Sequence, residues 1–261
     1  MKDFLSVAIE AAKKAEKIIK ERIGTISNKD VTQKSISDYV TEVDFHSEKI
    51  IIEHIKKHFP NHQIMAEESS NDYKKTDYLW IVDPLDGTTN FIHGFPMFAV
   101  SIAMMYKGEL ILGVVHDPIR DETFYAEKGN GAFLNGKKIK VSSIEEQNLF
   151  LIATGFPFRK KQNIDTYVKI FRELLYSVSD LRRAGAAAID LAYVACGRVD
   201  GFFEFSLSPW DIAAGVILIK EAGGVVSDFE GDNNYLESGN IIAGNRVTHS
   251  FLLEKIKSIK G

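Results

Sequence analysis

The sequence is poor in cysteine and has no long apolar run. Only one of its 261 residues, Cys196, is a cysteine, so an intrachain disulfide is excluded and a reducing compartment is expected. The most apolar stretches, 98–106 and 216–219, are far shorter than the ~20 residues that span a bilayer. The first residues lack the apolar core of a signal peptide. We therefore expect a cytoplasmic protein that does not enter a membrane.

An excess of positive charge is also missing. The chain has 32 lysines and arginines against 36 aspartates and glutamates, which gives a formal net charge of −4. Proteins that bind nucleic acid through a basic face usually carry a positive surplus, so nucleic acid is not the expected partner. An acidic protein still binds phosphate esters when metal ions supply the positive charge.

The composition is that of a globular protein with a sizeable core. Hydrophobic residues make up 45% and charged residues 26% of the chain. No stretch rich in proline, glycine or serine separates two parts. We predict one compact unit over residues 1–261, divided into an N-terminal half, 1–147, and a C-terminal half, 148–261.

Apolar periodicity predicts both helices and strands. Apolar residues at three- and four-residue steps predict helices over 4–19 and 43–58, the second ending before Pro60. Later helices are expected at 167–176, 186–196, 210–222 and 249–259. Strands are expected at 63–67, 78–83, 98–106, 110–116, 123–127, 132–134, 149–154, 201–205, 225–227 and 240–243. Because strands occur in runs as well as alternating with helices, the pattern favours a layered α/β or α+β fold with largely antiparallel sheets.

The strongest chemical signal is the stretch 80–90, WIVDPLDGTTN. An apolar strand stops at Asp83, and Asp86 follows three positions later. Both carboxylates suit hard divalent cations, and Gly87 with the residues after it can begin a helix whose N–H groups face an anion. A simple turn after a strand is the alternative. The spacing of three also excludes the aspartyl-phosphate pattern, in which the two aspartates lie two positions apart.

Further carboxylates lie where strands or helices meet loops. They are Glu67 and Glu68 after a strand, Asp38 and Asp44 in the stretch 38–44 that leads into the second helix, and Asp211 at the start of a later helix. Each alone fits a solvated loop or a helix cap. Together they favour a site, because sites are usually built at such junctions.

These motifs resemble those of the inositol monophosphatase family. The resemblance rests on 67–69 (EES), 80–91 (WIVDPLDGTTNF) and 210–215 (WDIAAG), in this order. It implies a layered αβαβα sandwich like that of inositol monophosphatases and fructose-1,6-bisphosphatases, usually as a homodimer. It also implies lithium-sensitive, Mg²⁺-dependent hydrolysis of a small phosphomonoester.

The resemblance implies two or three Mg²⁺ ions. The first would be held by Glu67, Asp83 and the carbonyl of Leu85. The second would be held by Asp83, Asp86 and Asp211. Glu67 would also help to hold a weaker third ion, so it is counted among the catalytic residues.

The remaining implied roles concern water, phosphate and substrate. Thr88, hydrogen-bonded to Asp44, would orient and activate the attacking water. The amides of Gly87 and Thr88 would bind the phosphate. The hydroxyl side of the substrate would face Asp86, Gly185, Ala187, Glu204 and Asp211.

The expected reaction is hydrolysis of inositol monophosphate by a metal-activated water with in-line attack. The alternative within enzymes is a fructose-1,6-bisphosphatase or a sugar phosphatase with both activities. The alternative of another class is a regulatory protein of the transcription machinery, since some bacterial relatives are thought to act there.

Several positions leave their roles open. Arg182 and Arg183 suit either a second phosphate or an ion pair at the surface or an interface, and Ala186 replaces a hydroxyl residue common in the family. Segment 29–37 resembles the family's mobile loop, from which Lys34 would approach the site or remain solvated.

Two apparent motifs are expected to be structural. Segment 131–138 nearly spells a phosphate-binding loop, but it ends in Lys138 and lies between strands, which predicts a tight turn. His54 and His58 have the spacing of some zinc sites, but no glutamate follows His54, so we expect an exposed helix face.

Overall fold

A computed structural model describes residues 3–26, 31–35, 38–69, 76–158 and 160–260. The helices within these ranges are α1 (Phe4–Arg22), α2 (Glu42–His58), α3 (Thr88–Ile92), α4 (Ile164–Leu175), α5 (Ala187–Ala195), α6 (Pro209–Glu221), α7 (Tyr235–Ser238) and α8 (Arg246–Lys260).

The strands form three sheets. A two-stranded sheet consists of β1 (Val31–Ser35) and β2 (Asp38–Thr41). A seven-stranded sheet consists of β3 (Gln63–Ala66), β4 (Tyr78–Asp86), β5 (Ala99–Tyr106), β6 (Glu109–Asp117), β7 (Glu122–Glu127), β8 (Gly131–Leu134) and β9 (Lys137–Ile139). A five-stranded sheet consists of β10 (Leu151–Thr154), β11 (Asp180–Arg182), β12 (Gly201–Glu204), β13 (Val225–Ser227) and β14 (Ile241–Gly244).

The first two helices cover one face of the seven-stranded sheet. In α1, the side chain of Asp3 caps the first turn by accepting a hydrogen bond from the backbone N–H of Ser6, 2.6 Å away. The apolar stripe that predicted this helix is buried against α2 and the sheet. The helix α2 begins with a capping box formed by Thr41 and Asp44. Both predicted helices are confirmed.

One expectation about α2 is wrong. His54 is only 6% exposed, although the sequence suggested an exposed face for it and His58. The Nε2 atom of His54 lies 3.3 Å from Oε2 of Glu10, which projects from α1. The periodicity of α2 alone does not show that α1 lies over this part of its surface.

The seven-stranded sheet has the order β3-β4-β5-β6-β7-β8-β9, and only its β3–β4 pair is parallel. The strands predicted at 98–106 and 110–116 are confirmed as β5 and β6, which pair antiparallel as a hairpin. Segment 131–138 forms β8, a turn and the start of β9, and φ is 47° at Asn135 and 80° at Gly136. It is therefore a β-turn, as predicted, because a left-handed pair at these positions reverses the chain between two strands.

The five-stranded sheet has the order β11-β10-β12-β14-β13. Its β10 strand is parallel to both neighbours, whereas β14 is antiparallel to β12 and β13. The larger sheet is thus largely antiparallel, as expected from the sequence. The smaller sheet has both parallel and antiparallel pairs.

The sheets and helices stack in five layers. The helices α5 and α6 lie between the two large sheets and share one apolar core with both. The helices α4 and α8 cover the outer face of the five-stranded sheet, while α1 and α2 cover the outer face of the other. The αβαβα sandwich is confirmed.

The seven-stranded sheet ends at Ile139, and the five-stranded sheet begins at Leu151. The division into 1–147 and 148–261 stays a prediction. The strands β1, β2, β9 and β11 and the helix α7 were not predicted. Of segment 29–37, residues 29–30 and 36–37 and the side chain of Lys34 lie outside the described part.

Among the described residues, the search for a bilayer-spanning helix found none.

Candidate active site

A cavity of about 390 Å³ opens where the ends of β4 and β12 meet the first turns of α5 and α6. It is lined by every sequence-predicted site residue except Asp44, which lies behind it: Glu67, Asp83, Leu85, Asp86, Gly87, Thr88, Gly185, Ala187, Glu204 and Asp211. The fold thus brings together residues that are distant in the chain.

Three carboxylates form the centre of the cavity. One oxygen each from Asp83, Asp86 and Asp211 lies within 4.8 Å of the others. The pairing of β4 with β5 is irregular between Asp83 and Asp86, and within this irregularity the N–H of Leu85 donates to Oδ1 of Asp83 at 3.0 Å. Asp211 lies in the first turn of α6, where its Oδ2 accepts a hydrogen bond from the N–H of Ser208 at 2.7 Å.

The electrostatics of the triplet are unfavourable without a cation. Asp83 is buried, and its burial together with the charges of Glu67, Asp86 and Asp211 raises its pKa well above the usual value. Burial, followed by the charge of Asp211, raises the pKa of Asp86 to about 8. Closely spaced oxygens of this kind are the donors that Mg²⁺ prefers, so the residues present fit divalent cations.

Glu67 lies just after β3 and lines the same cavity outside the triplet. Its charge raises the pKa of Asp83, Asp86 and Asp44. It is thus close enough to take part in the same electrostatic cluster.

Asp44 and Thr88 form a pair at the edge of the cavity. The Oγ1 of Thr88 lies 2.9 Å from Oδ1 of Asp44 and 3.1 Å from the carbonyl oxygen of Leu85, and its single proton serves one of them at a time. The other oxygen of Asp44 accepts hydrogen bonds from the backbone N–H and the hydroxyl of Thr41, at 2.9 and 2.6 Å. Burial is the main cause that raises the pKa of Asp44 to about 6, and the hydrogen bonds oppose it.

The backbone conformation at position 87 requires glycine. Its φ is +94°, and a Cβ there would lie 2.8 Å from the carbonyl oxygen of Met97. Only glycine fits this left-handed position, which caps the start of α3.

Sequence analysis assigned no role to Asn90, although it lies in the same motif. Its Nδ2 contacts the carbonyl oxygens of Met97 at 2.7 Å and Ala184 at 2.9 Å, and so joins α3 to the loop before α5.

The opposite wall comes from the C-terminal half of the chain. The N–H of Ala188 in α5 donates to Oδ2 of Asp86 at 2.7 Å. Burial and the charge of Asp190 raise the pKa of Glu204 well above its usual value. Sequence analysis missed Gly155, where a Cβ would lie 2.0 Å from Oε1 of Glu204. The missing side chain at Gly155 makes room for the carboxylate of Glu204. The sequence contains no pattern that predicts this close contact between Gly155 and Glu204.

The two arginines have separate environments. Arg182 pairs with Asp180 on the exposed surface, which agrees with the surface ion pair considered for it. Arg183 lines the cavity, where its guanidinium lies 4.9 Å from the ring centre of Phe156 and 5.2 Å from that of Phe158. These are cation–π distances.

A layered αβαβα fold with a carboxylate-lined cavity is what the sequence motifs implied for a class of phosphatases. A model of the inositol monophosphatase family matches residues 1–260, and the chain belongs to this family.

Individual relatives cover almost the whole chain. The chain is 49% identical to a protein of Pseudomonas aeruginosa named Nus factor SuhB, over 98% of this chain and 97% of that protein. Among solved structures, the extragenic suppressor protein suhB of Bartonella henselae superposes with a TM-score of 0.93 at 43% identity, covering 97% of this chain and 98% of that one. An IMPase of Thermotoga maritima superposes with a TM-score of 0.91 at 39% identity, covering 99% and 98%.

Proposed function

We propose that the protein hydrolyses inositol monophosphate to inositol and phosphate with the help of Mg²⁺. The observation that carries this proposal is one cavity with two unlike walls. One wall has the carboxylate triplet and the Asp44–Thr88 pair, and the other has Glu204 and the backbone before α5. The first suits a phosphate group and its metal ions, and the second suits a polyhydroxylated leaving group.

The metal ions would be held by the residues that the family resemblance implies. Glu67, Asp83 and the carbonyl of Leu85 would hold the first, and Asp83, Asp86 and Asp211 the second. Glu67 would contribute to a weaker third. When bound, Mg²⁺ supplies positive charge for the phosphate, acidifies a water molecule and stabilises the leaving alkoxide.

The Asp44–Thr88 pair would position the attacking water. With Asp44 ionised, the hydroxyl proton of Thr88 is directed to Oδ1 of Asp44, and the oxygen of Thr88 is left as an acceptor facing the cavity. A pKa of about 6 leaves Asp44 mostly ionised at neutral pH. The three hydrogen bonds to Asp44 hold it in place, so Thr88 has a fixed orientation toward a water molecule.

The substrate would be held across the cavity. Backbone N–H groups of Gly87 and Thr88 would donate to phosphate oxygens. The hydroxyl groups of the alcohol would be bound by Glu204, Gly185 and Ala187 of the second wall, together with Asp86 and Asp211 of the carboxylate triplet. Carboxylates accept hydrogen bonds from hydroxyl groups, which favours a polyol over an apolar alcohol.

The proposal is tested by turnover of a substrate panel with Mg²⁺. Inositol 1-phosphate, fructose 1,6-bisphosphate and a simple aryl phosphate are compared by kcat/KM. We expect inositol 1-phosphate to be preferred and Li⁺ to inhibit. A preference for fructose 1,6-bisphosphate of about tenfold or more, equivalent to ~1.4 kcal/mol, would favour the sugar-phosphatase alternative. Asp83→Asn serves as the control for contaminating phosphatases.

The family resemblance also supports a homodimer, and the single cysteine supports a location in the cytoplasm; both are part of the proposal. Sedimentation velocity of the purified chain tests the dimer, with a single monomeric species as the contrary result.

A second candidate function is a partner role in transcription. The observation in its favour is the name Nus factor SuhB for a relative that is 49% identical over 98% of this chain. We infer that such a role would not need hydrolysis. Purification of partners from native cells, with wild type and Asp83→Asn in parallel, tests it. Components of the transcription machinery captured equally by both would support a non-catalytic role, and their absence from both would oppose it. The expectation that nucleic acid is not bound stays a prediction.

A further inference from the structure

A second cluster of metal-ligating side chains lies between α1 and α2. One ligand atom each from Glu10, His54 and His58 lies within 4.8 Å of the others. His54 and His58 are one turn apart on α2, so their side chains project from the same side of that helix. Glu10 reaches them from α1.

The distance between Glu10 and His54 suits a small ion with four ligands. Oε2 of Glu10 lies 3.3 Å from Nε2 of His54. Around a tetrahedral ion with bonds of about 2.0–2.2 Å, neighbouring donor atoms lie about 3.3–3.6 Å apart. The rings of His54 and His58 have centres 5.0 Å apart and planes inclined at 70°, so the rings do not stack and their nitrogen atoms can point toward one ion.

Burial divides the cluster into a fixed part and an adjustable part. The side chain of His54 is 5% exposed, whereas that of Glu10 is 41% exposed. His58 is half-buried. A buried imidazole holds its orientation, and the two more exposed side chains can move by the small distance that closes the site. The exposed side also admits water as a fourth ligand.

We propose that Glu10, His54 and His58 bind one divalent transition-metal ion of the Zn²⁺ class at a site separate from the active site. Two imidazole nitrogens and one carboxylate oxygen select such an ion over Mg²⁺, which prefers oxygen. The active-site residue Asp44 lies at the other end of α2, about 20 Å from His58 along the helix. The bound ion links α1 to α2 and stabilises their packing.

The test uses the full chain in excess Mg²⁺, so that the carboxylate cavity is saturated. Zn²⁺ binding is measured by calorimetry, and Co²⁺ is used as a coloured probe because its visible absorption is stronger with four ligands than with six. We expect one equivalent of tightly bound Zn²⁺, a higher Tm, and the strong Co²⁺ spectrum. In His58→Ala and in Glu10→Gln, the affinity for Zn²⁺ falls about tenfold or more.

His46→Ala is the matched control, because His46 is an exposed histidine of the same helix outside the cluster. It should bind Zn²⁺ as the wild type does. Circular dichroism shows whether each variant is folded, and Glu10→Gln keeps the test open if His58→Ala does not fold. The proposal is overturned if no Zn²⁺ binds to the Mg²⁺-saturated wild type. It is also overturned if the folded variants of the cluster bind Zn²⁺ as tightly as His46→Ala.

Discussion

The metal-free protein should lose stability as the pH rises from about 5 to about 8, and Mg²⁺ should restore it. The cause is the set of carboxylates whose pKa is raised in the folded state, with Asp44 at about 6 and Asp86 at about 8. A raised pKa means that the folded state holds protons that the unfolded chain releases near pH 4. The free energy of unfolding therefore falls with pH from about 4 up to the folded pKa.

The magnitude follows from the shifts. Each pKa unit corresponds to about 1.4 kcal/mol, so the shift at Asp86 alone sets an upper bound of about 6 kcal/mol at pH 8. The carboxylates of the cavity titrate together, and water screens the more accessible ones, so we expect a loss of about 2–4 kcal/mol. Asp86→Asn removes one of the charges while its side-chain oxygen can still accept from the N–H of Ala188.

The assay is urea unfolding in EDTA across this pH range, repeated with Mg²⁺. Wild type should lose stability with rising pH in EDTA and regain it with Mg²⁺. Asp86→Asn should be more stable than wild type in EDTA at pH 8 but should gain less from Mg²⁺ and should lose turnover. A metal-free wild type whose stability is flat or increases with pH would refute this reasoning, as would an unchanged slope in Asp86→Asn.

Three further predictions concern single residues in the cavity or directly behind it. Asp44→Asn should lower kcat by about 10²–10⁴-fold with little change in KM, because an uncharged amide has only one accepting oxygen for the donors of Thr41 and Thr88 and holds the hydroxyl proton of Thr88 less firmly; steady-state kinetics would contradict this by showing a rise in KM alone. Gly155→Ala should raise KM for inositol 1-phosphate while leaving the Mg²⁺ affinity unchanged in calorimetry, because the new Cβ displaces Glu204; an unchanged KM would argue against that wall as the polyol side. Asn90→Ala should lower the free energy of unfolding by about 1–3 kcal/mol in urea titrations, since it leaves carbonyl oxygens such as that of Ala184 without their donor; wild-type stability would show that water replaces the amide.

The local features were largely predictable because local physics determines them. Apolar periodicity identified α1 and α2, and the break after the apolar run 80–82 identified the end of β4 as a place for chemistry. Contacts between distant segments were not predictable in the same way. The burial of His54 depends on α1, and the approach of Glu204 to Gly155 depends on the smaller sheet. Neither the burial of His54 nor the contact between Glu204 and Gly155 can be predicted from the residues next to them in the sequence.

The family resemblance supplied the long-range part that periodicity does not give. It predicted that Asp211 would join Asp83 and Asp86, and the structure places the three carboxylates together. Their roles as metal ligands stay predictions, as do those of Glu67 and the substrate wall. The short pair β1–β2 was not predicted because its sequence is polar and lacks the alternation that signals a half-buried strand.

The placement of α6 between the two sheets has a consequence during synthesis. The larger sheet and two of the three central carboxylates are complete long before the ribosome reaches Asp211. A nascent chain halted in between therefore carries only two of the three central carboxylates. Hydrolytic competence should emerge late and abruptly, when the C-terminal half docks, so truncated chains carry no partial activity into the cell.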